Sequence, residues 1–526
     1  MGLFRKRKRQ SGKIQEKQAV EQEGDSLSSQ LDGNIKKIKE LTGDTDDVMY
    51  RSVTIRGNYR LLLVYIEGIS EVDRINTVIN TLLQSNENED LPVLNENENL
   101  INNLEERLLA ISNCSYVENT DDLLTELLSG NTVIIADGFT RAISCNTPGG
   151  KRRAVEEPST ETVIRGPKDG FTEDIRTNIS LIRDRIKTPD LWYKIKKVGK
   201  QTQTDVAVMY INNIADKRLV KEVAERLESI ETDSILESNY IEEFIQDETY
   251  TLFPQIQNKE RPDAVAAALL EGRVAIIVNG TPFALIAPVT LAMLMQTTED
   301  YYQRPLFVTF LRLLRTFSFF VAMLLPGVYI AVTTHHQEML PTVLLFSLAA
   351  QREGVPFPAI VEALLMEVTF EILREAGVRM PKAIGASISI VGALVLGQAA
   401  VEAGVVSAVM VIIVSFTAIT NFIIPTYNLS VAVRLLRFAF MILSAAFGFL
   451  GILAGLLILL IHLAGLRSFG VPYLTPMAPF ILSEQKDTLF RFPLWALNTR
   501  PESLNPENKR RMSAYMKPSP PKKESS

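Results

Sequence analysis

The second half of the chain is dominated by long apolar runs that contain no charged side chain. An α-helix rises about 1.5 Å per residue, so roughly 17–25 apolar residues cross the hydrocarbon core of a bilayer. Several runs of this length so close together are rare in the core of a soluble protein. The pattern therefore predicts an α-helical transmembrane domain over residues 297–466, with four clear spans near residues 317–332, 384–402, 404–424 and 438–464.

Residues 341–376 follow a different pattern. The first part is apolar but too short to cross a bilayer, and the second part is amphipathic. One face of the second part carries Glu367, Glu371, Arg374 and Glu375, whereas Glu362 falls within the opposite, apolar face. A carboxylate in such a position is costly unless it is paired, so we predict that Glu362 is a buried functional carboxylate. The segment is either a re-entrant hairpin or an additional span whose polar face lines a wet cavity.

The first half of the chain alternates strand-like and helix-like runs, and it repeats itself. Gly57 and Gly199 each lie between two strand-like runs and are 142 residues apart, as are Asp137-Gly138 and Asn279-Gly280. Asn, Asp and Gly tolerate the positive φ that a tight hairpin needs. The sequence therefore predicts a soluble α/β half made of two similar subdomains, at residues 47–150 and 190–296, joined by an inter-subdomain segment at 151–189.

Both ends of the chain are polar. Residues 1–46 are predicted to be a disordered basic and polar tail, because they contain too few apolar side chains to offset the entropy of ordering. Residues 467–526 form a C-terminal tail, of which residues 498–526 are rich in Pro, Lys and Glu. Arg304, Arg312 and Arg315 precede the first span, and the positive-inside rule then places the N-terminal half in the cytoplasm. A span at 357–376 would leave the C-terminal tail outside, so the side of the C-terminus stays open.

Composition and candidate chemistry point away from an enzyme. The net charge of −6 argues against a general nucleic-acid binder. The chain has only three histidines, His335, His336 and His462, all in or beside membrane segments. No Gly-rich phosphate loop or metal-ligand set appears, so we predict no catalytic residues, no metal and no cofactor. Cys114 and Cys145 are read as reduced, cytosolic thiols.

The predicted span 384–402 has one face of small residues, interrupted by Leu396, and a second, polar stripe. Small faces permit close helix packing, which is one interpretation. The other is that this helix lines a pore in which a narrow apolar constriction acts as the gate. Six residues are therefore pore or gating candidates: Gly385, Ser389, Gly392, Leu396, Gln398 and Glu402.

Several long stretches carry a family resemblance. They are PSTETVIRGPKDGFTEDIRTNISLIRDR at Pro158, FPQIQNKERPDAVAAALLEGRVAIIVNGTPF at Phe253, TTEDYYQR at Thr297, VPFPAIVEALLMEVTFEILREAGVRMP at Val355, GQAAVEAG at Gly397 and SFGVPYLTP at Ser468. With these residues the sequence resembles the A subunit of the GerA-type spore germinant receptors.

The resemblance implies a location in the inner membrane of the bacterial spore. It implies two partners, a transporter-like B subunit that binds the nutrient and a lipoprotein C subunit. It also implies that the A subunit forms a homo-oligomer and an ion channel whose opening on nutrient sensing triggers germination. The identity of the nutrient is not implied.

Two other functions compete with this one. A secondary transporter would carry its own small solute, but such proteins commonly repeat within the membrane part, whereas here the repeat lies in the soluble half. A membrane-anchored enzyme would need a catalytic set that the sequence does not show. Ohmic ion current through purified protein would favour the channel, and saturable solute exchange would favour the transporter.

Overall fold

The computed structural model describes residues 26–55, 59–84, 113–149, 157–158, 161, 163–379, 397–513 and 516–518. The chain divides into two compact units. The first is an α/β unit within Met1–Ile245, Asn258–Ala287 and Leu504–Lys509. The second is mainly helical and lies within Gln246–Gln257, Pro288–Ser503 and Arg510–Ser526.

The α/β unit opens with a five-stranded antiparallel sheet and its helices. Along the chain these are α1 (Leu31–Thr42), β1 (Val48–Ile55), β2 (Tyr59–Ile66), α2 (Val72–Gln84), β3 (Cys114–Val117), α3 (Thr120–Leu128), β4 (Thr132–Ala136) and β5 (Ala142–Cys145). The strands lie in the order β1-β2-β4-β5-β3. Every residue of β4 is buried, because α2 covers one face of the sheet while α1 and α3 cover the other.

A second sheet repeats the first. Its elements are α4 (Ile175–Arg183), β6 (Leu191–Val198), β7 (Thr204–Ile211), α5 (Lys217–Glu228), α6 (Ser238–Ile245), β8 (Gln257–Lys259), α7 (Pro262–Glu271), β9 (Val274–Val278) and β10 (Ala284–Ala287). The order β6-β7-β9-β10-β8 matches that of the first sheet strand for strand. The predicted α/β half with two similar subdomains is therefore confirmed.

The same polar contact ties the leading helix to the hairpin in both copies. The Asp137 side chain accepts a hydrogen bond from the backbone N–H of Leu31 at 3.3 Å, and the Asn279 side chain accepts one from Ile175 at 3.2 Å. In each copy the glycine after this residue has a positive φ, 88° at Gly138 and 92° at Gly280. A β-carbon is unfavourable in that conformation, which explains the Asp-Gly and Asn-Gly pairs.

These contacts correct two predicted boundaries. The predicted disordered tail at 1–46 is wrong for residues 26–46, because Leu27, Leu31 and Ile38 are buried in the core of the first copy. The predicted inter-subdomain segment 151–189 is wrong for α4, which occupies in the second copy the place of α1 in the first. Three well-placed apolar side chains are enough to dock a helix whose other positions are polar.

Cys114 and Cys145 face each other on β3 and β5. Their Sγ atoms lie 3.2 Å apart, which is a hydrogen-bond contact between two thiols rather than a disulfide. The contact with Cys114, together with burial, raises the pKa of the Cys145 thiol. A raised pKa favours the neutral thiol and makes the thiolate, the reactive form, scarce.

The second unit is built from helices. They are α8 (Leu291–Leu294), α9 (Pro305–Thr334), α10 (Thr342–Arg352), α11 (Ala359–Arg379), α12 (Gly397–Glu402), α13 (Ala408–Phe422), α14 (Tyr427–Phe447) and α15 (Phe449–Gly465). Among the described residues, α9 and α14 are long and apolar enough to cross a membrane, and α13 and α15 are shorter apolar helices. The predicted helical membrane-type half is thus present, with different helix boundaries.

The direction of each helix follows from its contacts. We call the end where α9 begins the near end and the end where it finishes the far end. Arg437 of α14 reaches the carbonyl of Ala322, and further along α9 His335 reaches the carbonyl of Ala445, so α9 and α14 run parallel. Helix α11 runs the opposite way, since Glu367 contacts Arg437 and the later Glu371 contacts the earlier Arg434.

The predicted single span at 438–464 is wrong, because the chain breaks at Gly448. This glycine has φ 61° and ψ −139°, a conformation essentially restricted to glycine. Beyond it, α15 turns back along α14, so that Gly451 packs against Leu443 and Gly455 against Phe440. Two glycines four residues apart allow the helix backbones to approach closely.

The other predicted spans agree with the helices of the structure to different extents. The span 317–332 is part of the longer α9, and the span 404–424 begins only at Ala408, where the Ser407 side chain caps α13. Of the span 384–402, only α12 is described, because residues 380–396 lie outside the described residues. Residues 341–376 divide into α10 and α11, and α11 is long enough at 21 residues to traverse the helical unit.

The C-terminal segment returns to the near end. Tyr473 is fully buried, and its carbonyl accepts a hydrogen bond from the backbone N–H of Leu291 at 2.9 Å. Asp487 contacts Arg312, which lies in the third turn of α9, at 3.0 Å. The C-terminal segment up to Ser503 therefore belongs to the helical unit.

Candidate functional site

A row of ion pairs runs along α11, and Glu362 lies at its far end. The Glu362 side chain is fully buried. One carboxylate oxygen lies 3.3 Å from Arg352 Nε, and the other accepts hydrogen bonds from the Ser407 backbone N–H at 3.1 Å and its hydroxyl at 2.9 Å. Because Ser407 caps α13, the carboxylate also lies at the positive end of that helix.

The central pair joins three helices. Glu367 and Arg437 are 0% and 1% exposed, and their charged atoms lie 2.6 Å apart. The same guanidinium donates to the Ala322 carbonyl of α9 at 2.8 Å. Glu367 Oε1 and Arg437 Nη2 are buried and have no hydrogen-bond partner within the described parts of the chain. Breaking a pair this deeply buried costs about 3–5 kcal/mol, because the remaining charge is left uncompensated.

The ion pair at the near end of the row is more exposed than the other two carboxylates are. Glu371 pairs with Arg434 at 2.7 Å, and their side chains are 28% and 13% exposed. The guanidinium of Arg374 lies over the rings of Phe422 and Tyr427, 5.8 and 5.9 Å from their centroids. We call the whole set the ion-pair ladder: Glu362, Glu367 and Glu371 with Arg352, Arg374, Arg434 and Arg437. It holds three carboxylates against four guanidinium groups.

The contacts in the ion-pair ladder change how the two faces of α11 are interpreted. A polar face lining a wet cavity was one of the two alternatives for this segment, but Glu367 on that face is as deeply buried as Glu362. Glu375 is exposed and pairs with Arg379, which is exposed as well. The partner residues Arg434 and Arg437 were missed as site residues. The available signal was their three-residue spacing in an otherwise apolar run, which places both on one face of α14.

The pore candidates are only partly described. Gly385, Ser389, Gly392 and Leu396 lie outside the described residues. Gln398 and Glu402 lie on α12, exposed, with the Gln398 amide donating to the Glu402 carboxylate at 2.8 Å. The structure therefore places these two apart from the buried ladder.

The structure thus defines a class: a protein with a duplicated α/β unit followed by a helical, membrane-type unit that contains a buried charge network. In the part of the chain that the structure describes, no group of three or more His, Cys, Asp or Glu side chains is placed to hold a metal ion. Comparison with known proteins gives the family. Residues 36–503 match the family described as Bacillus/Clostridium GerA spore germination protein, and the chain belongs to that family.

Three relatives are similar along nearly their whole length. The chain is 49% identical to spore germination protein KA of Bacillus subtilis (strain 168), over 94% of this chain and 90% of the relative. It is 45% identical to the uncharacterized membrane protein YfkQ of the same strain, over 92% of this chain and 93% of the relative. It is 40% identical to spore germination protein GerLA of Bacillus cereus, over 90% of this chain and 96% of the relative.

One solved structure covers the α/β part. It is the N-terminal domain of the A subunit of the Bacillus megaterium spore germinant receptor GerK3, with 42% sequence identity and a TM-score of 0.41. The match covers 50% of this chain and 97% of that domain. The relatives described as spore germination proteins support a role in germination, and the one described as a membrane protein agrees with the apolar helices.

Proposed function

We propose that this chain is the A subunit of a nutrient-responsive germinant receptor in the inner spore membrane, and that it oligomerises to form an ion channel. The named relatives support the receptor role. The observation that carries the channel is the ion-pair ladder. Apolar side chains of similar volume stabilise a helix bundle as well as buried ion pairs do, or better. Ionisable residues inside a membrane bundle instead mark ion paths and switches.

The contacts support a membrane topology with both termini in the cytoplasm. Helices α9 and α14 run from the near end to the far end, and α11, α13 and α15 run back. The predicted span 384–402 would supply the remaining crossing, from Arg379 at the near end to α12, which makes six crossings. The break at Gly448 brings the C-terminal segment back to the near end. With this extra crossing, a span at 357–376 no longer leaves the C-terminal tail outside.

Charged loop residues agree with that orientation. Arg304, Arg379 and Arg467 flank helix ends at the near end, whereas Arg352 is the single Lys or Arg in the sequence between α9 and α11. By the positive-inside rule the near end is cytoplasmic. The N-terminal half then lies in the cytoplasm, because it precedes α9 in the chain and α9 begins at the near end.

In this proposal the ladder is the switch and the small-residue helix is the gate. The unpartnered atoms of Glu367 and Arg437 can exchange partners when α11 moves against α14, which gives the bundle two discrete arrangements. The transporter-like B subunit and the lipoprotein C subunit are the proposed partners through which nutrient binding favours one arrangement. Membrane lipid surrounds the apolar helices.

Replacing Leu396 by alanine tests the gate. If Leu396 narrows an apolar constriction, its loss wets the pore, and spores release ions without nutrient. If it only packs against a neighbouring helix, the cavity costs about 2–5 kcal/mol and gives less protein that stays silent. Normal protein levels with no premature ion release would rule against Leu396 as the gate.

A further inference from the structure

A cavity of about 310 Å³ lies at the near end of the helical unit, between α8, α9 and the C-terminal segment. An apolar cavity of about 150 Å³ holds a benzene molecule, so this one has room for an aliphatic chain of about eight to ten carbons. Most of its wall is apolar and comes from Leu291, Met295, Phe319, Phe320, Leu474 and Met477.

One wall of this cavity carries a buried cation. Arg312 is 2% exposed, and its Nε donates to Asp300 at 3.0 Å. Its Nη1 donates to the Asp487 carbonyl at 2.8 Å, to the Asp487 carboxylate at 3.0 Å and to the Thr488 carbonyl at 3.1 Å. Its Nη2 is buried and has no hydrogen-bond partner among the described residues. Leaving such a donor unsatisfied costs about 1–3 kcal/mol or more.

Several charged groups surround Arg312. Asp300 bonds both Arg312 and Arg315, and Arg491 lies over the same Tyr301 ring as Arg312. Burial acts to raise the pKa of Asp300, but the hydrogen bonds and charges of the two arginines outweigh it, and the pKa lies below its ordinary value. Asp300 is therefore ionised. Together with Asp487, the contacts described here bring two carboxylates and three guanidinium groups into this cluster.

The cavity is accessible from the surface that faces lipid in our topology. Phe320 lines the cavity and is also 47% exposed. Its neighbours on the outer face of α9, Leu313 and Phe317, are exposed as well. An apolar chain can thus enter sideways from the bilayer without crossing the protein.

We propose that this cavity binds an anionic amphiphile, with its head group beside the Arg312 side chain and an aliphatic chain among Met295, Phe319 and Met477. A free fatty acid and an anionic membrane lipid share this chemistry. Because the cavity walls come from α8, α9 and the C-terminal segment, an occupant would hold these three elements together. This site is distinct from the ion-pair ladder and does not depend on channel activity.

The test uses the full chain in nanodiscs and a decanoate probe with a photoreactive diazirine at its terminal carbon. We expect crosslinks to map to residues 291–296, 312–320 or 474–489. Decanoate should compete at concentrations about tenfold lower than decanol, and decane should compete least, because only decanoate supplies an anionic acceptor. Crosslinks that map elsewhere, or decane competing as well as decanoate, would overturn the proposal.

Two variants that fill the cavity provide the comparison. Ala292→Phe and Thr316→Leu add volume at lining positions, and the Thr316 hydroxyl donates to the Arg312 carbonyl of its own helix turn at 2.9 Å. Each should reduce the crosslink yield at least tenfold, whereas the control Leu306→Phe, at an 88% exposed position, should not. Undiminished crosslinking in a folded cavity-filling variant would count against the site.

The lipid composition of the nanodisc identifies the source of the amphiphile. If phosphatidylglycerol suppresses the decanoate crosslink and phosphatidylcholine does not, an anionic bilayer lipid occupies the cavity. If the yields are equal in the two lipids, the occupant is a free fatty acid. Suppression by phosphatidylcholine alone would contradict an anionic ligand.

Discussion

At the scale of single residues, the ion-pair ladder shows how burial decides the importance of a charge. Glu362 and Glu375 lie on the same helix and each pairs with an arginine. The Glu362 carboxylate is fully buried and also holds the start of α13, whereas Glu375 and its partner are exposed. An exposed ion pair contributes roughly 0–1 kcal/mol to folding stability. Removing one partner of a buried ion pair costs much more, because the other charge stays buried without compensation.

We therefore expect Glu362→Ala to disrupt receptor assembly or signalling and Glu375→Ala to be mild. Without the Glu362 carboxylate, the backbone N–H and hydroxyl of Ser407 lose their buried acceptor, at a cost of about 1–3 kcal/mol. The measurement is receptor abundance in spore membranes together with the rate of nutrient-triggered germination. Equal tolerance of the two substitutions would contradict a special role for Glu362.

The α/β unit contains a carboxyl whose protonation affects stability. Glu242 on α6 is buried, and burial, with the nearby charges of Glu237 and Glu243, raises its pKa to about 7. Because its pKa is higher in the folded state, the folded protein binds the Glu242 proton more tightly than the unfolded chain does. The resulting contribution to stability is fully present below the pKa of the unfolded state. That stability is lost as the pH rises through about 7.

Glu242→Gln should remove this pH dependence. We expect the variant to be more stable than the wild type by up to about 3 kcal/mol at pH 8, with a much smaller difference at pH 5. Thermal unfolding of the full chain at the two pH values is the measurement, with Glu225→Gln on the exposed face of α5 as the control. A wild-type advantage at pH 8 would show that Glu242 is not the group involved.

At the scale of elements, one glycine decides how many times the chain reverses. The apolar run at 438–464 is long enough for a single span, and nothing in its hydropathy marks Gly448 as a turn. The turn exists because only glycine adopts the Gly448 conformation beside His335 and His336. Gly451 and Gly455 then permit α15 to pack closely on α14.

Gly448→Ala should therefore prevent the α14–α15 hairpin from folding. A β-carbon at this position would lie 2.6 Å from His336 and 2.9 Å from His335, in addition to about 1–3 kcal/mol of backbone strain. Gly465→Ala is the matched control, because a β-carbon there meets no atom within 4 Å. The yield of monodisperse protein after detergent extraction should fall only for Gly448→Ala. A normal yield of that variant would contradict the proposed turn.

The elements that the sequence predicted well are those with a local signal. The duplication was visible because Asp137-Gly138 and Asn279-Gly280 mark equivalent hairpins. Helix α1 was missed because its buried side chains, Leu31, Asn34, Ile38 and Thr42, include just two apolar ones among polar and charged neighbours. The pairing of Glu367 with Arg437 could not be predicted, because it depends on how α11 and α14 lie against each other. The pore candidates from Gly385 to Leu396 stay predictions.

At the scale of the whole molecule, the chain combines two units with different physical tasks. The α/β unit is a duplicated fold, and apolar cores lie on both sides of its first sheet. The helical unit contains a charge network that apolar packing could replace without loss of stability. In our proposal this network serves the switching of a channel, a task that a simple membrane anchor does not have.

The most direct test of the channel proposal is the flux through purified protein reconstituted in liposomes. The account predicts an ohmic ion current that increases with the number of assembled oligomers and changes when Arg437→Met and Glu367→Leu are combined. This double substitution keeps the packing and removes the central pair. Saturable exchange of a small solute with no ion current would contradict the channel and favour the transporter.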